Sequence, residues 1–425
     1  MPDSNNLIPL LISTSDIEGG AARAAYRLHR ALVNSGVPSR FAVATKRSDD
    51  TSVIELRDHS NWLWKRLRIR MEYLPLTFET ASAGMRSPAW VGSVSAKEIA
   101  KHPHSLVNLH WICGAGVSIE QIGKIKSPVV MTLHDMWSFS GTEHYSDEER
   151  ESGWRNGFSK TDGHYSSVDQ WTWKRKQGNW GNIRHAVAPS NWMAQCARQS
   201  KLMRDWKISV IPNPVDLSVY RPIEKQLARE LLGIPLDAKV VLFGALGGAS
   251  DRRKGFDLLV ESLKELQKSP SSTSPLIGVV FGQGDRGKIE GVELEIKWLG
   301  RLNDDLSLAL AYSAADVTVV PSRQDNLPQC AVEAHACGCP VVAFRVGGLV
   351  DIVDHCESGY LANAFDTQDF AHGVEWCLKT IAQGSKLNHA ARQKALQQWS
   401  PENVARKYCE VYKQVIADSD SASLS

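Results

Sequence analysis

The chain has 425 residues, of which 43% are hydrophobic and 23% are charged, and its formal net charge is +2 at pH 7. This length exceeds what one hydrophobic core ordinarily contains, so two lobes are expected. The near-neutral charge excludes the strong basic excess typical of nucleic-acid-binding proteins, and no nucleic-acid partner is expected.

Short β-branched runs alternate with longer helical patterns in two successive series. The predicted strands of the first series are Leu7–Ile12, Arg40–Ala44, Leu106–Leu109, Val129–Leu133, His185–Ala188 and Ile208–Ile211. Those of the second series are Val240–Phe243, Ile277–Phe281, Val317–Val320 and Pro340–Phe344. Strands that alternate with helices form parallel sheets through right-handed crossovers. The expected fold class is therefore α/β, with two Rossmann-like, doubly wound lobes that face each other across a cleft.

The two series are separated by Ile211-Pro212-Asn213-Pro214-Val215, where two prolines interrupt regular structure. We place the boundary at this joint, with one lobe over residues 1–212 and the other over residues 213–400. A helix is expected over residues 401–418, which either follows the second lobe or crosses back to the first. The Ser/Asp-rich residues 419–425 are expected to form a disordered tail.

The eight cysteines form no Cys-x-x-Cys pair, which indicates free thiols in a reducing compartment. The N-terminal residues lack the features of a signal peptide, and no apolar run reaches the ~18 residues of a membrane span. No HExxH motif occurs, and the single Asp-x-Asp, Asp418 to Asp420, lies in the polar tail. The sequence therefore predicts a cytoplasmic protein that uses neither a metal ion nor a cofactor.

Two segments break the strand–helix rhythm. The basic, aromatic residues Trp62–Tyr73 predict either an ordinary exposed helix or a peripheral contact with an anionic membrane surface, at the inner face of the membrane. The stretch Thr142–Trp180 is long, polar and without clear periodicity, which is typical of a functional loop or of disorder. Because aromatic rings stack on sugars, its part Trp154–Trp180 predicts an acceptor surface.

Glycines and cations follow the opening strands of the two series. Gly19-Gly20 lies at a strand-to-helix turn, where backbone N–H groups and the helix dipole can approach an anion, but a plain tight turn explains it equally well. Arg252-Arg253-Lys254-Gly255 follows the first strand of the second series. Ligands of open α/β sheets bind at carboxyl ends of strands, so this position favours a diphosphate over a solvated charged loop.

The most specific motif is PSRQDNLPQCAVEAHACGCPVVAF, in which seven residues separate Asp325 from Glu333. A helix that begins near Leu327 places Glu333 on its inner face and leaves Asp325 in the preceding loop. Carboxylates accept hydrogen bonds from sugar hydroxyls, so this pair is expected to hold two rings of one ligand. The alternative, an N-cap followed by a surface glutamate, is disfavoured by the apolar segment ACGCPVVAF.

Two histidines of the first series end predicted strands, His110 after LVNL and His134 after VVMTL. A single histidine at such a place is commonly structural. Two at equivalent strand ends indicate that at least one of them faces a ligand.

Together these motifs resemble glycosyltransferase family 4, whose members are retaining enzymes with the two-lobed GT-B fold. The resemblance covers nearly the whole chain and is closest to the bacterial branch that makes capsular, exopolysaccharide and O-antigen chains. The segments that carry it are VNLHWI, TLHDMWSFSGTEHY, VAPSNWMA, IPNPVD, RKGFDLL and PSRQDNLPQCAVEAHACGCPVVAF. The resemblance implies that the first lobe lies on the acceptor side and that the second binds the nucleotide sugar.

The resemblance also implies roles for residues of the second lobe. Asp325 and Glu333 match the E-x7-E motif of the family, in which the first acid contacts hydroxyls of the donor sugar and the second contacts the ribose. Lys254, with Arg252 or Arg253, would bind the donor diphosphate. The backbone that would approach the sugar and the phosphate is that of Asn326, Leu327, Pro328 and Gln329.

In the first lobe, the resemblance places His134 by the donor sugar and Gly19-Gly20 against the phosphates. Two departures from the family pattern concern the donor side: Asp325 is one methylene shorter than the usual Glu, and Gly248 stands where many members carry an arginine. A third concerns the acceptor side, because no cysteine cluster follows HDMWSFSGTEHY.

The implied function is retaining, metal-independent transfer of a hexose-type sugar from a nucleoside-diphosphate donor. The acceptor would be a glycan or a lipid-linked molecule of polysaccharide biosynthesis. No motif places a side-chain nucleophile, so front-face attack is expected. The alternative is a non-catalytic sugar-nucleotide-binding protein on the same fold. A dinucleotide-dependent dehydrogenase is disfavoured because no G-x-G-x-x-G follows either opening strand.

Overall fold

The computed structural model describes residues 7–56, 62–79, 84–146, 153–159, 166–244, 251–268, 275–282, 284 and 287–423. The chain divides into two compact units, residues 1–214 with 401–425 and residues 215–400. The division falls between Pro214 and Val215, two residues after the boundary chosen from the sequence. Each unit contains one parallel sheet.

The first unit is built on seven parallel strands. They are β1 (Pro9–Ser15), β2 (Arg40–Thr45), β3 (Val53–Glu55), β4 (Leu106–Leu109), β5 (Val129–Thr132), β6 (His185–Ala188) and β7 (Lys207–Val210). Their order in the sheet is β3-β2-β1-β4-β5-β6-β7. The strand order reverses between β1 and β4, which pair with Ile12 opposite Leu109. Ligands of doubly wound sheets bind beyond the carboxyl ends of strands at such a reversal.

The second unit repeats this plan with six parallel strands. They are β8 (Lys239–Gly244), β9 (Leu276–Phe281), β10 (Glu295–Trp298), β11 (Val317–Val320), β12 (Val341–Phe344) and β13 (Gly359–Ala362). Their order is β10-β9-β8-β11-β12-β13, and the reversal lies between β8 and β11. The carboxyl ends of β8 and β11 therefore mark the expected ligand position in this unit.

Helices cover both faces of the two sheets. In the first unit they are α1 (Gly20–Asn34), α2 (Trp62–Tyr73), α3 (Ala96–Ile99), α4 (Ile119–Gly123), α5 (Gly153–Asn156), α6 (Ser167–Asn179), α7 (Asn191–Gln199) and, at the end of the chain, α15 (Pro401–Ser423). In the second they are α8 (Lys225–Leu232), α9 (Phe256–Gln267), α10 (Asp305–Ala314), α11 (Gln329–Ala336), α12 (Leu349–Ile352), α13 (Thr367–Ala382) and α14 (Leu387–Gln398). None of the helices in the described residues has the length and apolar composition to cross a membrane.

Alternating side chains of the central strands enter two cores, one on each face of the sheet. In β1, Leu10 lies in one core and Leu11 in the other. In β8, Val240 and Val241 divide in the same way. Burial on both faces is the expected state of parallel strands covered by helices. The predicted α/β class with two doubly wound lobes is confirmed.

Helix α15 returns to the first unit. Tyr408 and Tyr412 belong to the core of that unit, and the Tyr412 hydroxyl accepts a hydrogen bond from Asn108 Nδ2 at 2.7 Å. The prediction of a disordered tail from residue 419 is wrong as far as Ser423, where α15 ends. Packing of the earlier turns supports the polar last turns, and Lys207 pairs with Asp418 at 2.6 Å. Residues 424 and 425 lie outside the described residues.

The stretch Thr142–Trp180 also differs from its prediction. Much of it is helical, in α5 and α6, with residues 147–152 and 160–165 outside the described residues. Trp154, Trp173 and Trp180 are only 2–3% exposed and belong to the core. These three tryptophans therefore pack the first unit. Trp171 of the same stretch is 39% exposed, and the acceptor surface stays a prediction.

Candidate functional site

A turn of three basic residues, Arg252–Lys254, precedes α9 directly. Asp251 caps this turn by accepting the backbone N–H of Arg253 at 3.0 Å. Gly255 has a φ of +69°, and a side chain on it would collide with the carbonyl oxygen of Pro321. Because Pro321 follows β11, only glycine allows the turn to lie against the end of that strand.

Lys254 and Asp325 form an ion pair at the carboxyl edge of the second sheet. Lys254 Nζ lies 2.6 Å from Asp325 Oδ2, and Arg253 Nη1 lies 3.4 Å from the same oxygen. Burial raises the pKa of Asp325, but the charges of Lys254 and Arg253 outweigh burial and hold the pKa below its ordinary value. Asp325 is therefore ionised at neutral pH. Residues that the sequence assigned to different parts of a ligand are thus in contact with each other.

The basic turn has a second support, Arg323, which the sequence analysis did not single out. Its guanidinium donates to the carbonyl oxygen of Arg252 at 3.0 Å and to the carboxylate of Asp257 in α9 at 2.6 and 2.7 Å. The side chain of Arg252 itself is exposed. The position of Arg323 inside the motif PSRQDN, two residues before Asp325, was a signal that could have identified it.

The loop between Asp325 and α11 is tightly packed. Asn326 and Leu327 are 3% and 6% exposed, and the backbone N–H of Asn326 donates to the Asp325 carboxylate at 3.1 Å. Helix α11 begins at Gln329 and not near Leu327. The predicted start was two residues early because a residue that precedes proline disfavours the α conformation, and Pro328 is the N-cap.

Glu333 lies on the buried side of α11 and is 4% exposed. Tyr312 of α10 donates its hydroxyl to Glu333 Oε2 at 3.1 Å. Burial raises the pKa of Tyr312 well above its ordinary value, and the charge of Glu333 adds to this, so the hydroxyl remains a donor. Tyr312 was not predicted from the sequence. Neither was Gly347, whose φ is +54° and where a side chain would collide with the carbonyl oxygen of Asp325.

The turn after β1 forms the matching feature of the first unit. Gly19 is the N-cap of α1 with a φ of +93°, and both Gly19 and Gly20 are exposed. Glycine brings no capping side chain, so the first N–H groups and the positive end of the helix dipole suit an anion. Asp16 fixes the start of the turn, because its buried carboxylate accepts the backbone N–H groups of Arg47 and Ser48, each at 2.9 Å.

His110 and His134 are in contact. They follow the neighbouring strands β4 and β5, their ring centroids are 5.2 Å apart, and His110 Nδ1 lies 2.9 Å from His134 Nε2. Burial lowers the pKa of His134 to about 4. Burial, and after it the neighbouring His134, lowers the pKa of His110 well below its ordinary value. Both rings are therefore neutral at pH 7.

The residue after His134 anchors a second polar network. Asp135 Oδ2 accepts from His144 Nδ1 at 2.6 Å and from Trp111 Nε1 at 3.1 Å. The other ring nitrogen of His144, Nε2, lies 2.9 Å from the hydroxyl of Ser87. The sequence analysis did not single out Trp111 or His144, although both lie in the segments VNLHWI and TLHDMWSFSGTEHY.

The segment between Asp135 and His144 is held from α6 by Lys176. The buried ammonium of Lys176 donates to the carbonyl oxygens of Trp137, Ser140 and Gly141. Burial lowers the pKa of Lys176 to about 7. The backbone that follows His134 is therefore fixed by buried polar contacts on both sides.

Some predictions about the site stay predictions. Gly248 lies in residues 245–250, outside the described residues, so the replacement of the family arginine is not tested. Within the described ranges, the side chains of His, Cys, Asp and Glu form no group of three that could hold a metal ion. Metal independence, the lack of a cofactor and the individual residue roles remain to be tested by experiment.

Two family models match different parts of the chain. Residues 18–219 match the model described as Glycosyltransferase Family 4, and residues 238–380 match Glycosyl transferases group 1. D-inositol 3-phosphate glycosyltransferase 2 from Catenulispora acidiphila is 37% identical over 180 residues, which are 40% of this chain and 42% of that protein. A D-inositol 3-phosphate glycosyltransferase from Nocardiopsis dassonvillei is 34% identical over 221 residues, 49% of this chain and 51% of that protein. The chain thus spans about half the length of the curated relatives it matches.

Solved structures resemble the chain over almost its whole length. Sucrose-phosphate synthase from Thermosynechococcus elongatus has a TM-score of 0.66 at 20% identity, covering 97% of this chain and 100% of that one. HepE from Anabaena in complex with UDP-glucose has a TM-score of 0.65 at 17% identity, covering 96% and 100%. At such identities the likeness shows the fold alone, and that fold is GT-B, as predicted.

Proposed function

We propose that the chain transfers a hexose-type sugar from a nucleoside-diphosphate donor, because parts of it match the models of family 4 and group 1 glycosyltransferases. Transfer retains the anomeric configuration, and the acceptor is a glycan or a lipid-linked molecule of bacterial capsular, exopolysaccharide or O-antigen synthesis. One observation carries the proposal: Lys254 is paired with Asp325 at the strand reversal of the second unit, where the neighbouring helix α11 carries Glu333. The UDP-glucose in the HepE structure supports the donor class.

In this proposal, the basic turn neutralises the diphosphate of the donor. Lys254, with Arg252 or Arg253, contacts the phosphate oxygens. Asp325 accepts hydrogen bonds from hydroxyls of the donor sugar, and Glu333 accepts them from the ribose. The backbone of residues 326–329 approaches the sugar and the phosphate.

Transfer occurs on the face of the sugar from which the diphosphate leaves. The bond between the anomeric carbon and the phosphate oxygen breaks, the acceptor oxygen bonds to that carbon from the same side, and its proton passes to the departing phosphate oxygen. Lys254 stabilises the charge of the leaving group. The N-terminus of α1 at Gly19 and Gly20 is by itself suited to a phosphate. His134 contacts the donor sugar.

A thermal-shift screen in EDTA against UDP-, GDP-, ADP- and dTDP-sugars tests donor binding. One nucleotide family is expected to stabilise the protein, by about 2.7 kcal/mol at 100 times its Kd. Lys254→Ala and Glu333→Ala are expected to lose this shift. Lys268→Ala, which replaces a lysine whose side chain is 69% exposed beyond α9, is the matched control and keeps it. No shift with any sugar nucleotide would contradict the proposal.

Product analysis in EDTA then separates transfer from binding. Candidate acceptors are lipid-linked glycans, soluble oligosaccharides and, because of the names of the curated relatives, D-inositol 3-phosphate. An α-linked product from an α-linked donor is expected, and a β-linked product would contradict retention. Donor binding without any transfer would favour the alternative of a non-catalytic sugar-nucleotide-binding protein. The shortened acid Asp325, held by Lys254, is the observation that favours this alternative.

We also propose that α2 rests on an anionic membrane surface. Its outer face exposes Leu63, Trp64 and Leu67 by 61%, 54% and 45%, and the basic side chain of Arg70 is exposed beside them. At the other end of the helix, the buried carboxylate of Glu72 accepts a backbone N–H at 2.6 Å, which holds α2 on the first unit. Apolar and basic side chains on one face suit the headgroup region of a bilayer.

Liposome pelleting tests this contact. The protein is expected to pellet with vesicles that contain anionic lipid and to pellet less with neutral vesicles. Neutralising Arg66, Arg68 and Arg70 should weaken binding on the order of a hundredfold, since each cation contributes about 1 kcal/mol near such a surface. A wild-type protein that stays in the supernatant with anionic vesicles would contradict the proposal.

A further inference from the structure

The contact between His110 and His134 fixes where their protons lie. His110 Nδ1 and His134 Nε2 are 2.9 Å apart, so one of these nitrogens must donate a hydrogen bond to the other. Both rings are neutral at pH 7, and a neutral imidazole carries one proton. The direction of this one hydrogen bond therefore sets the tautomer of both rings.

The two directions differ in what they leave buried. His110 is 7% exposed, and no protein group in the described residues lies within hydrogen-bond distance of its Nε2. If His134 donates, the proton of His110 is on Nε2, and a buried N–H lacks an acceptor. If His110 donates from Nδ1, only a lone pair on Nε2 lacks a donor. Buried N–H groups without acceptors are the rarer of the two defects in folded proteins, which favours donation by His110.

We propose that His110 is a positioning residue that holds His134 in the Nδ1–H tautomer. His134 then has its Nε2 occupied by His110 and its Nδ1 protonated. It serves as a hydrogen-bond donor and not as a general base. This inference rests on the proposed place of His134 beside the donor sugar, and it leaves the acceptor proton to the departing phosphate oxygen.

The carboxylate of Asp135, the residue after His134, binds other donors. Asp135 Oδ2 accepts from His144 and Trp111, and Asp135 Oδ1 accepts the backbone N–H of Trp137 at 3.0 Å. Carboxylate–histidine contacts commonly fix a tautomer, and Asp135 makes such a contact with His144. The imidazole of His110, by contrast, contacts Nε2 of His134 directly.

Nitrogen NMR of the full chain, with ¹⁵N-labelled histidine rings at pH 7.5, tests the inference without any substrate. His134→Gln assigns the signals of His134 by their loss. In the wild type, the Nδ1 of His134 is expected to show the shift of a protonated nitrogen and Nε2 that of an unprotonated one. The opposite pattern, with the proton on Nε2, would overturn the proposal.

Variants of His110 add a matched comparison. In His110→Asn the amide N–H can replace Nδ1–H, so the His134 tautomer and most of kcat should be kept. In His110→Gln the amide lies at the position of Nε2, so this variant and His110→Leu should lose the Nδ1–H pattern and about tenfold in kcat, the effect of one hydrogen bond. Equal thermal stability of the Asn and Gln variants separates positioning from folding.

The proposal would also be overturned if His110→Gln kept the His134 tautomer and kcat while His110→Asn lost them. A protein with the expected tautomer but no donor binding or transfer would instead refute the proposed function while the assignment of the proton stands. The two failures are thus distinguishable.

Discussion

At the carboxyl edge of the first sheet, the close pair of polar side chains is His110 and His134, which burial keeps neutral. At the corresponding edge of the second sheet it is Lys254 and Asp325, whose mutual attraction keeps the carboxyl group ionised despite burial. The two sheets share a strand plan, so topology alone does not decide the electrostatics of the edge. A neutral pair responds to mild acid, whereas a paired cation responds to salt and to the loss of its partner.

The glycine turns beside these pairs differ as well. Gly19 has no atom within 4 Å of the position that a side chain would take, whereas a side chain on Gly255 would collide with the Pro321 carbonyl. Both have a positive φ, of +93° and +69° respectively. The first turn thus needs glycine for its conformation alone, and the second needs it for conformation and for space.

The largest effect is expected from breaking the crowded turn. Gly255→Ala should lower the free energy of unfolding by about 4 kcal/mol, because the collision adds to the backbone strain. Gly19→Ala should lower it by about 2 kcal/mol through strain alone. Urea unfolding of the two variants beside the wild type measures the difference. Equal losses would show that crowding at Pro321 is relieved by a small backbone shift.

A second, smaller effect is expected from acid on the neutral pair. The folded pKa of His134, about 4, lies below the ordinary value of 6.5, so the unfolded chain binds more protons between these pH values. The contribution of His134 to stability is fully present above pH 6.5 and is lost as the pH falls to 4, up to about 3 kcal/mol. His134→Gln should remove this part of the pH dependence, measured by urea unfolding at pH 7 and pH 4.

Asp325→Asn is the matched control for this experiment. The pKa of Asp325 is held below 3.8, so its contribution to stability is present above that pH and is lost only as the pH falls through the folded pKa. Between pH 7 and pH 4 this variant should keep the wild-type pH dependence. The comparison of variants cancels the contributions of other groups that titrate between pH 7 and pH 4. One of them is Glu72, because burial raises its pKa to about 7. A His134→Gln variant with unchanged pH dependence would contradict the neutral pair.

The smallest effect is expected from Arg323, which holds the basic turn Arg252–Lys254 from its exposed side. Arg323→Lys replaces two hydrogen bonds to Asp257 by one, and the Asp257 side chain is 61% exposed, so donor affinity should fall by only about twofold. Calorimetric titration with the donor measures it, and Arg406→Lys, in an exposed pair with Glu410, is the control. A loss above about tenfold would show that Arg323 contacts the ligand itself.

The strands that sequence patterns missed share one property: β3, β10 and β13 all lie at sheet edges. Interior strands of parallel sheets are covered on both faces and have continuous apolar sequences. This pattern allowed them to be predicted from the sequence. Val53–Glu55 and Glu295–Trp298 carry acidic or basic side chains that resemble loop sequence. Edge strands depend on pairing that a single segment does not reveal.

Within the candidate site, residues that share one motif stand together in the sequence, but their contacts with residues from elsewhere could not be predicted. Asp325 and Glu333 stand in one segment, but the Tyr312 hydroxyl reaches Glu333 only because α10 packs beside α11. The pairing of Lys254 with Asp325 spans 71 residues and depends on β8 lying next to β11. Burial of Trp154, Trp173 and Trp180 could not be predicted for the same reason, since composition does not tell a buried ring from an exposed one.

Helix α15 supplies Tyr408 and Tyr412 to the core of the first unit, although the second unit lies between them and β7 in the chain. A ribosome that adds about 5–20 residues per second completes this core roughly ten seconds or more after β7 has emerged. Until then, the faces of β4 and β5 that the two tyrosines cover stay open. The backbone N–H of Val215 donates to the carbonyl of Trp399 at 3.0 Å. The folded second unit therefore holds the start and the end of its own chain segment side by side. The first unit begins synthesis before the second, but its hydrophobic core is therefore completed last.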